Sequence, residues 1–337
     1  MKKAIRIPIE NAESMRLKIA ESGKLDPERK IKVIDNGERF LEIPVTDDIE
    51  GFETRIQEDV LLYNKWLSLR EILKKEVTAN ELKMLPAGWQ ILGDIILVTI
   101  NPSIDSLKEK IAKSLLQMYP SCSTVVRDYG ISGQFRLPER EVLIGNSTET
   151  INKENGCLFK LDVTKIMYSK GNFHEKALMS NIGADETIVD MFAGIGYFTI
   201  PMAVHARPAM IFAIEINPQS YAYLQENIVL NHVENIVEAR NGDCAELTPE
   251  GIADRVIMGY IGTTHHYLEH GIKALKDSGG ILHYHETTPE SLIFTRPVER
   301  IQQAASKTGR QAEILECRKI KKYSPGVWHV VVDARIS

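Results

Sequence analysis

The sequence lacks any long apolar run, and its longest apolar stretches, such as residues 95–98, have only the length of a strand. A transmembrane helix needs about 20 consecutive apolar residues, so we expect no membrane span. The basic start of the chain is not followed by the apolar segment of a signal peptide. Cysteine is scarce, with four residues in 337 and no CxxC pair, which argues against a disulfide framework or a zinc cluster. We therefore expect a cytoplasmic protein.

The chain also lacks an excess of positive charge. Its 41 Lys and Arg residues are outnumbered by 46 Asp and Glu residues, which gives a formal net charge of −5. This balance disfavours a globally basic nucleic-acid coat. Glycine (22 residues) and proline (14 residues) have ordinary frequencies, which excludes collagen-like and low-complexity chains. The length predicts two or three domains.

The first 160 residues are predicted to form two small modules joined by a linker. A helical pattern over 11–22, followed by two short strands around Asn36-Gly37, predicts a small α/β module. An amphipathic helix over 102–119, after a strand-like segment and before basic polar loops, predicts an α+β module. The predicted divisions of the chain are 1–60, 61–80 (linker or helical), 81–160 and 161–337.

The last module alternates strand-like and helical segments from residue 187 to residue 285. Such alternation predicts an α/β fold with a doubly wound parallel sheet. After a further helix, segments 311–322 and 327–334 flank Ser324-Pro325-Gly326 and are expected to form an antiparallel hairpin. A Rossmann-like parallel sheet closed by such a hairpin is typical of class I S-adenosylmethionine (SAM) dependent transferases and not of NAD dehydrogenases.

A glycine loop follows the first strand of this sheet. Gly194 and Gly196 lie where the strand passes into a helix, and glycine there permits a tight turn and a close approach of ligand. Glu215 ends the next strand, where a carboxylate can accept both ribose hydroxyls. Asp243 follows the third strand, where it can accept the adenine amino group. NAD sites share an acidic residue at the second strand, but this loop lacks their third glycine, so we favour SAM.

Four segments resemble a known family. They are DMFAGIGYF (190–198), AIEINP (213–218), NGDC (241–244) and ADRVIMGY (253–260). They are similar to enzymes that modify the purine at position 37 of tRNA, which comprise guanine-N1 methyltransferases and the aminocarboxypropyltransferases of the wybutosine pathway. Residues 1–60 resemble that family's N-terminal tRNA-binding module, and ILGDIILV (91–98) resembles the start of its middle RNA-binding module.

The resemblance implies a set of SAM-binding residues, some of which the spacing argument above has already selected. The expected set is Ser169, Lys176, Asp190, Phe192, Ala193, Gly194, Gly196, Glu215, Ile216, Asp243, Cys244 and Gly259.

Four further segments distinguish the two branches. Gly259-Tyr260-Ile261 replaces the methyltransferases' Asn-Leu-Pro, and residues 168–176 replace their Arg-rich segment. These segments, with HYHE at 283–286 and residues 319–334, resemble the 4-demethylwyosine transferases. The resemblance implies transfer of the 3-amino-3-carboxypropyl group of SAM to C7 of 4-demethylwyosine in tRNA(Phe), with release of methylthioadenosine. The alternatives are a methyltransferase acting on guanine N1 or on the same tricyclic base, and a non-catalytic scaffold that binds SAM and tRNA.

A sulfonium activates all three carbons attached to it, so the pocket decides which carbon meets the acceptor. We expect Lys176 to hold the carboxylate of the methionine arm and Ser169 to hydrogen-bond the arm or the ribose. The alternative interpretations are a helix-surface lysine and an N-cap serine.

The expected catalytic residues lie at the carboxyl ends of strands. His283, His285 and Tyr260 are candidates for proton transfer, and Glu286 is expected to orient a histidine. Alternatively, either histidine is simply buried and hydrogen-bonded. The HxH pair has no third ligand at usable spacing, so we expect no metal.

For tRNA, basic residues are expected to contact phosphates, and Tyr323 or Tyr197 is expected to stack on a base. The set is Arg136, Arg140, Asn172, Arg318, Lys319, Lys321, Lys322 and Tyr323. Its alternative is ordinary solvated surface. We expect no membrane contact and no obligatory protein partner.

Overall fold

A computed structural model describes residues 2–35, 39–58, 60, 67–133, 136–169 and 172–337. The predicted Asn36-Gly37 turn therefore lies outside the described residues. The chain divides into two units, residues 1–75 and 76–337, which are described separately. The predicted boundaries at 60, 80 and 160 stay predictions.

The first unit is a sheet with one long helix on it. Its elements are β1 (Lys3–Pro8), α1 (Ile9–Glu21), β2 (Lys32–Asp35), β3 (Arg39–Pro44), β4 (Thr54–Ile56) and α2 (Leu69–Leu73). The strand order is β2-β3-β1-β4. Ala12 and Ile19 of α1 are buried and pack with Ile5 and Ile43 of the sheet. The predicted helix and strand pair are confirmed, whereas β1 and β4 were not predicted.

The second unit begins with an α+β segment. Its elements are α3 (Ala79–Met84), β5 (Gln90–Leu92), β6 (Ile95–Val98), α4 (Lys108–Met118), β7 (Thr124–Ser132), β8 (Leu137–Ile144), β9 (Glu149–Glu154) and β10 (Cys157–Asp162). Strands β5-β6-β7-β8 form one sheet, and β9 and β10 form a hairpin. Most of the basic residues that we expected in polar loops lie on strands instead, as Arg127 does on β7 and Arg140 on β8. Strand β7 is held in the sheet by Val125 and Val126, which are fully buried.

The rest of the second unit is built on a large sheet. Its elements are α5 (Phe173–Met179), β11 (Thr187–Asp190), α6 (Thr199–His205), β12 (Met210–Glu215), α7 (Pro218–Leu230), β13 (Val237–Asn241), α8 (Cys244–Leu247), β14 (Arg255–Met258), α9 (Leu268–Ala274), β15 (Gly280–Pro289), α10 (Arg296–Lys307), β16 (Ala312–Ser324) and β17 (Val327–Ile336). The strand order is β13-β12-β11-β14-β15-β17-β16.

Strands β11 to β15 run parallel to one another, and the β16-β17 hairpin joins β15 in antiparallel fashion. This arrangement confirms the predicted fold class. Because the parallel strands all end at one edge of the sheet, the loops that follow them converge there.

Strand β15, which pairs with β17, is longer than predicted. It continues to Pro289 opposite Val327, so β15 ends four residues later than expected and α10 starts at Arg296. The register places Thr287 of β15 and Lys321 of β16 on either side of His329. A register shift between Lys319 and Lys321 interrupts the outer strand at this point.

The α+β segment and the large sheet share a hydrophobic core. Ile95 and Val126 belong to the same buried cluster as Ile188 and Ile200. The β9-β10 hairpin is also fixed to α7, because the Asn227 side chain accepts a hydrogen bond from Lys160 N at 2.7 Å. Within the described residues, no helix has the length and apolarity needed to cross a membrane.

We predict that Asn227→Ala lowers the free energy of unfolding by about 1–3 kcal/mol. The amide is fully buried and also donates to Ile195 O at 3.0 Å, so its loss leaves buried backbone groups unpaired. Urea unfolding measures the change. Gln302→Ala, an exposed amide in α10, is the matched control and is expected to have almost no effect. Equal effects of the two substitutions would contradict the prediction.

Candidate active site

A cavity of about 230 Å³ lies at the carboxyl edge of the parallel strands. It is bounded by the loops after β11, β12, β13 and β14, by the segment before α5, and by the β16-β17 hairpin. The predicted site residues that line it are Arg136, Ser169, Asn172, Lys176, Phe192, Gly194, Glu215, Ile216, Asp243, Cys244, Gly259, Tyr260, Lys321 and Tyr323.

The glycine loop brings the main chain to the wall of this cavity. Gly194 has φ +59° and Gly196 has φ +99°, both in the left-handed region that favours glycine. A Cβ on Gly194 would lie 2.6 Å from the Tyr197 ring, and one on Gly196 would lie 2.5 Å from Ile200. The loop therefore needs glycine at both positions.

Glu215 is anchored at the end of β12. Its Oε2 accepts from Gly194 N and its Oε1 accepts from Asn217 N, both at 2.8 Å. Burial raises the pKa of Glu215 above the usual range for a carboxyl group, whereas the two backbone donors lower it. Each carboxylate oxygen has lone pairs beyond those used here, which fits the predicted ribose contacts.

Asp243 lines the same end of the cavity. Its side chain caps α8 by accepting from Ala245 N at 2.9 Å. The adjacent Cys244 also lines the cavity, and burial raises the pKa of its thiol to about 12. The Cys244 side chain is therefore an uncharged thiol at neutral pH. It contributes a small apolar surface to the cavity and is not a nucleophile.

Three predicted SAM-binding residues, Asp190, Ala193 and Gly196, are not among the residues that line the cavity. Asp190 is fully buried, accepts from Thr199 Oγ1 at 2.7 Å, and has its pKa raised to about 6 by burial. Ala193 N donates to Ile214 O at 2.9 Å. These residues shape the loop from behind.

Aromatic rings form the central wall. Phe192 stacks on Tyr260, with ring centroids 5.5 Å apart and planes inclined by 27°. Gly259, which also lines the cavity, lies so close to Phe198 that a Cβ would approach the ring to 2.8 Å. The space between the glycine loop and the end of β14 is therefore bounded by aromatic rings.

Lys176 is a buried cavity residue and not the surface lysine of the alternative interpretation, since it is only 3% exposed. Its Nζ lies 2.8 Å from Oε1 of Glu154 and 4.5 Å from the centroid of the Tyr168 ring. Burial lowers the pKa of Lys176, and Glu154 opposes that change. Ser169 accepts from Lys321 Nζ at 3.0 Å and is not an N-cap, because Asn172 precedes α5.

Two of the four predicted catalytic residues are held away from the cavity lining. His283 Nδ1 lies 2.6 Å from Asp333 Oδ1, and its Nε2 lies 2.6 Å from Arg255. Glu286 is buried between Arg296 and Arg300, at 2.7 and 2.9 Å. Partners on neighbouring strands and on α10, which the chain order does not disclose, occupy both side chains.

The other two predicted catalytic residues, Tyr260 and His285, lie at the cavity or directly behind its lining. Tyr260 lines the cavity. His285 is fully buried behind the lining and shares a hydrogen bond of 3.1 Å with His329, which does line the cavity. The described residues contain no group of three or more side chains suited to hold a metal ion.

The predicted tRNA residues fall into three groups. Arg136, Asn172, Lys321 and Tyr323 line the cavity, and Tyr323 is half exposed. Lys319 and Lys322 are exposed on β16, above the Trp328 ring at 4.8 and 5.6 Å.

Arg140 and Arg318 form the third group, and their guanidinium groups are engaged inside the protein. Arg140 pairs with Asp128 at 3.2 Å and donates to Val163 O. Arg318 pairs with Glu175 at 2.7 Å and also with Asp333. Neither arginine is therefore proposed to contact tRNA.

His329 is the functional candidate that the sequence analysis missed. It is 1% exposed and lines the cavity next to Lys321. One signal was available: a lone histidine precedes the valine run 330–332 of a strand, where a buried polar side chain needs an explanation.

Three family models match the chain in consecutive segments. The tRNA methyltransferase 5 N-terminal domain matches residues 4–53, the TYW2 N-terminal domain residues 69–148, and the TRM5/TYW2 methyltransferase domain residues 150–315.

Individual relatives agree with these models. A tRNA(Phe) (4-demethylwyosine(37)-C(7)) aminocarboxypropyltransferase of Methanocaldococcus jannaschii is 46% identical, covering 73% of this chain and 97% of its own length. The tRNA (guanine(37)-N(1))-methyltransferase Trm5b of Pyrococcus abyssi is 34% identical over 99% of both chains. The crystal structure of Pyrococcus horikoshii TYW2 in complex with MeSAdo matches with a TM-score of 0.71 and 40% identity, covering 80% of this chain and 97% of that one.

The hairpin-closed parallel sheet, the glycine loop and the anchored Glu215 together define a class I SAM-dependent transferase, with SAM as co-substrate. Within that class, the matches in sequence and structure are specific. The chain belongs to the TRM5/TYW2 family of tRNA-modifying enzymes, on the side of the tRNA(Phe) 4-demethylwyosine aminocarboxypropyltransferases.

We predict that Glu215→Gln weakens SAM binding by about 10- to 100-fold, the loss expected when hydrogen bonds to a charged acceptor are weakened. Equilibrium dialysis or titration calorimetry measures the affinity. Glu250→Gln changes the same functional group at an exposed position and serves as the control. If the two variants bind SAM equally well, Glu215 does not hold the ribose.

Proposed function

We propose that this chain transfers the 3-amino-3-carboxypropyl group of SAM to C7 of 4-demethylwyosine at position 37 of tRNA(Phe). The observation that carries the proposal is the cavity itself. Glu215 and Asp243 line one end, and the cations Lys176, Lys321 and Arg136 also belong to the lining. The 46% identity to an aminocarboxypropyltransferase supports the same choice of branch.

SAM supplies a positively charged sulfur attached to three electrophilic carbons. The protein selects among them by fixing the two ends of the molecule. Glu215 and Asp243 are suited to bind the ribose and adenine, while the buried Lys176 is suited to bind the carboxylate of the amino-acid arm. With both ends fixed, the γ-carbon of the arm, and not the methyl group, can be presented to the acceptor.

Lys176 can serve this role although it is paired with Glu154. An ammonium has three N–H donors, and the contact with Glu154 takes one of them. Glu154 also accepts from Tyr168 OH at 3.0 Å, which holds the carboxylate and hence the lysine in place. A buried ammonium held in this way is prepared for a second anionic partner.

The tRNA substrate is proposed to approach along the β16-β17 hairpin. Tyr323 is half exposed at the cavity and offers a ring for stacking on a base. Lys319 and Lys322 are exposed on the same strand and are suited to phosphate contacts. The proposal needs no second protein.

The second candidate is methyl transfer to guanine N1. One observation favours it: the methyltransferase of P. abyssi matches this chain over its full length, including the segment that matches the tRNA methyltransferase 5 N-terminal domain.

A double-label experiment separates the two. We predict that tRNA(Phe) carrying 4-demethylwyosine acquires label from carboxyl-labelled SAM and none from methyl-labelled SAM, with methylthioadenosine as the second product. Liquid chromatography with mass detection of the digested tRNA measures both. The same two labels with tRNA(Phe) that keeps an unmodified guanine at position 37 test the second candidate. Methyl label in that tRNA, with S-adenosylhomocysteine as product, and no carboxyl label in the 4-demethylwyosine tRNA would replace the proposal by the second candidate.

We also predict that Lys176→Met lowers SAM affinity by about 10- to 100-fold, because a charge-assisted hydrogen bond to the carboxylate is lost. The variant leaves Glu154 buried without its cation, which itself destabilises the fold. The double variant Lys176→Met/Glu154→Gln removes both charges and is the matched control for folding. Unchanged SAM affinity in the double variant would refute the assigned role of Lys176.

A further inference from the structure

Neither His283 nor Glu286, two of the predicted catalytic residues, is placed to accept the proton that the tRNA base loses. The polar atoms of both side chains are engaged with other residues. Aromatic substitution at C7 nevertheless requires a proton to leave. The described residues that line the cavity include one histidine, His329. A role for His329 in removing this proton rests on the proposed function.

The strand order places His329 far from Glu215 and Asp243, the two carboxylates expected to bind the nucleoside part of SAM. Glu215 and Asp243 follow β12 and β13, at one side of the sheet, whereas His329 lies on β17 near the opposite side. The glycine loop and Tyr260 lie between them, after β11 and β14. A SAM molecule that extends from Glu215 across the glycine loop therefore presents its sulfur toward the β17 side.

The two buried histidines form a pair with open nitrogens. His329 Nε2 and His285 Nδ1 are 3.1 Å apart and share one hydrogen. The remaining nitrogens, His329 Nδ1 and His285 Nε2, are buried and have no hydrogen-bond partner within the described part of the chain. A buried polar atom without a partner, in a residue that lines a cavity, points to a ligand atom as the missing partner.

The carboxylates near the cavity are engaged. The carboxylate of Glu154 is held by Lys176 and Tyr168. Glu215 and Asp243 accept backbone hydrogen bonds at the far end of the cavity. Burial lowers the pKa of His329 to about 2 and that of His285 to about 3, so both rings are neutral at pH 7 and each keeps a lone pair.

We propose that His329 is the base that removes the C7 proton of the acceptor ring, with His285 as the positioning residue behind it. His285 Nδ1 accepts the hydrogen of His329 Nε2, which leaves the lone pair on His329 Nδ1. The ring of His285 is itself held against Phe198, with centroids 5.3 Å apart.

C7 forms a bond to the γ-carbon of the aminocarboxypropyl group, the bond from that carbon to sulfur breaks, and its electron pair stays on sulfur. Sulfur becomes the neutral thioether of methylthioadenosine, and the positive charge passes to the acceptor ring. His329 Nδ1 takes the C7 proton, which restores the neutral aromatic ring. A cationic ring of this kind is a strong acid, so a weakly basic imidazole suffices.

The test uses His329→Asn with tRNA(Phe) carrying 4-demethylwyosine, either unlabelled or deuterated at C7. We expect SAM affinity to be retained and the single-turnover rate of carboxyl-label transfer to fall by about 100- to 10,000-fold. We also expect a primary isotope effect at C7 that exceeds that of the wild type, because proton removal becomes rate-limiting. Added imidazole is expected to restore part of the rate in His329→Gly.

His283→Asn removes a buried histidine on the neighbouring strand that does not line the cavity, and it is the matched control. It is expected to leave the isotope effect at the wild-type value. Retained SAM binding with a wild-type rate in His329→Asn, or a slow rate with neither isotope effect nor imidazole rescue, would overturn the proposal.

The role of His285 is tested by a second pair of variants, which also serves if His329→Asn does not fold. His285→Gln keeps an acceptor for His329 Nε2 and is expected to retain most of kcat, whereas His285→Leu removes it and is expected to lower kcat with little change in KM for SAM. Equal activity of the two variants would overturn the assignment of His285 as the positioning residue. If the wild-type enzyme transfers methyl label and no carboxyl label, the proposed function fails first, and the assignment of His329 fails with it.

Discussion

The antiparallel pairing of β17 with β15 decides what the cavity contains. A parallel sheet alone would offer only the loops after β11 to β14, which supply Glu215, Asp243 and the aromatic wall. The ten-residue pairing from Gly280 to Pro289 carries the hairpin to the carboxyl edge of the sheet. His329, Lys321 and Tyr323 thereby join cavity residues that lie far away along the chain, and the proposed function assigns these three to the second substrate.

Ion pairs inside the second unit hold this arrangement together. Arg318 on β16 contacts Glu175 on α5, which is fully buried, and Asp333 on β17. Glu175 immediately precedes Lys176, so the same contact that fixes the hairpin also fixes the lysine proposed to hold the methionine arm. Breaking such a buried pair is costly, because the remaining charge has no solvent to stabilise it. The positions of Lys176 and of the hairpin are therefore coupled.

The parts of the site that could be predicted are those encoded by neighbouring residues. The positions of the glycine loop and of Glu215 could be predicted from the turn and strand patterns, because local sequence signals mark where each strand ends. The roles of Arg318 and His283 could not be predicted in this way. The partner of Arg318 lies 143 positions earlier, and the partner Asp333 of His283 is set by a strand register that no local pattern specifies.

Net charge was similarly a poor guide to the substrate. The value of −5 is a sum over the whole chain, in which ion pairs such as Glu154 with Lys176, Glu175 with Arg318 and Glu286 with Arg296 contribute zero. Exposed lysines on β16 are a small fraction of the total. A tRNA-modifying enzyme of this family therefore needs positive charge only where the nucleic acid passes, which a sum over the chain does not resolve.

The register shift between Lys319 and Lys321 has a consequence for the chemistry of the cavity. Lys319 pairs with Val330, yet the next pairing along the strand is Lys321 with His329, so Ile320 is left over as the extra residue. In a regular antiparallel register without the bulge, the residue after Lys319, which is Ile320, would stand opposite His329 and share its face. One inserted position in an edge strand thus exchanges an aliphatic side chain for an ammonium group beside the histidine. The bulge therefore makes this wall of the cavity cationic, because a regular pairing of the same sequence would place isoleucine beside His329.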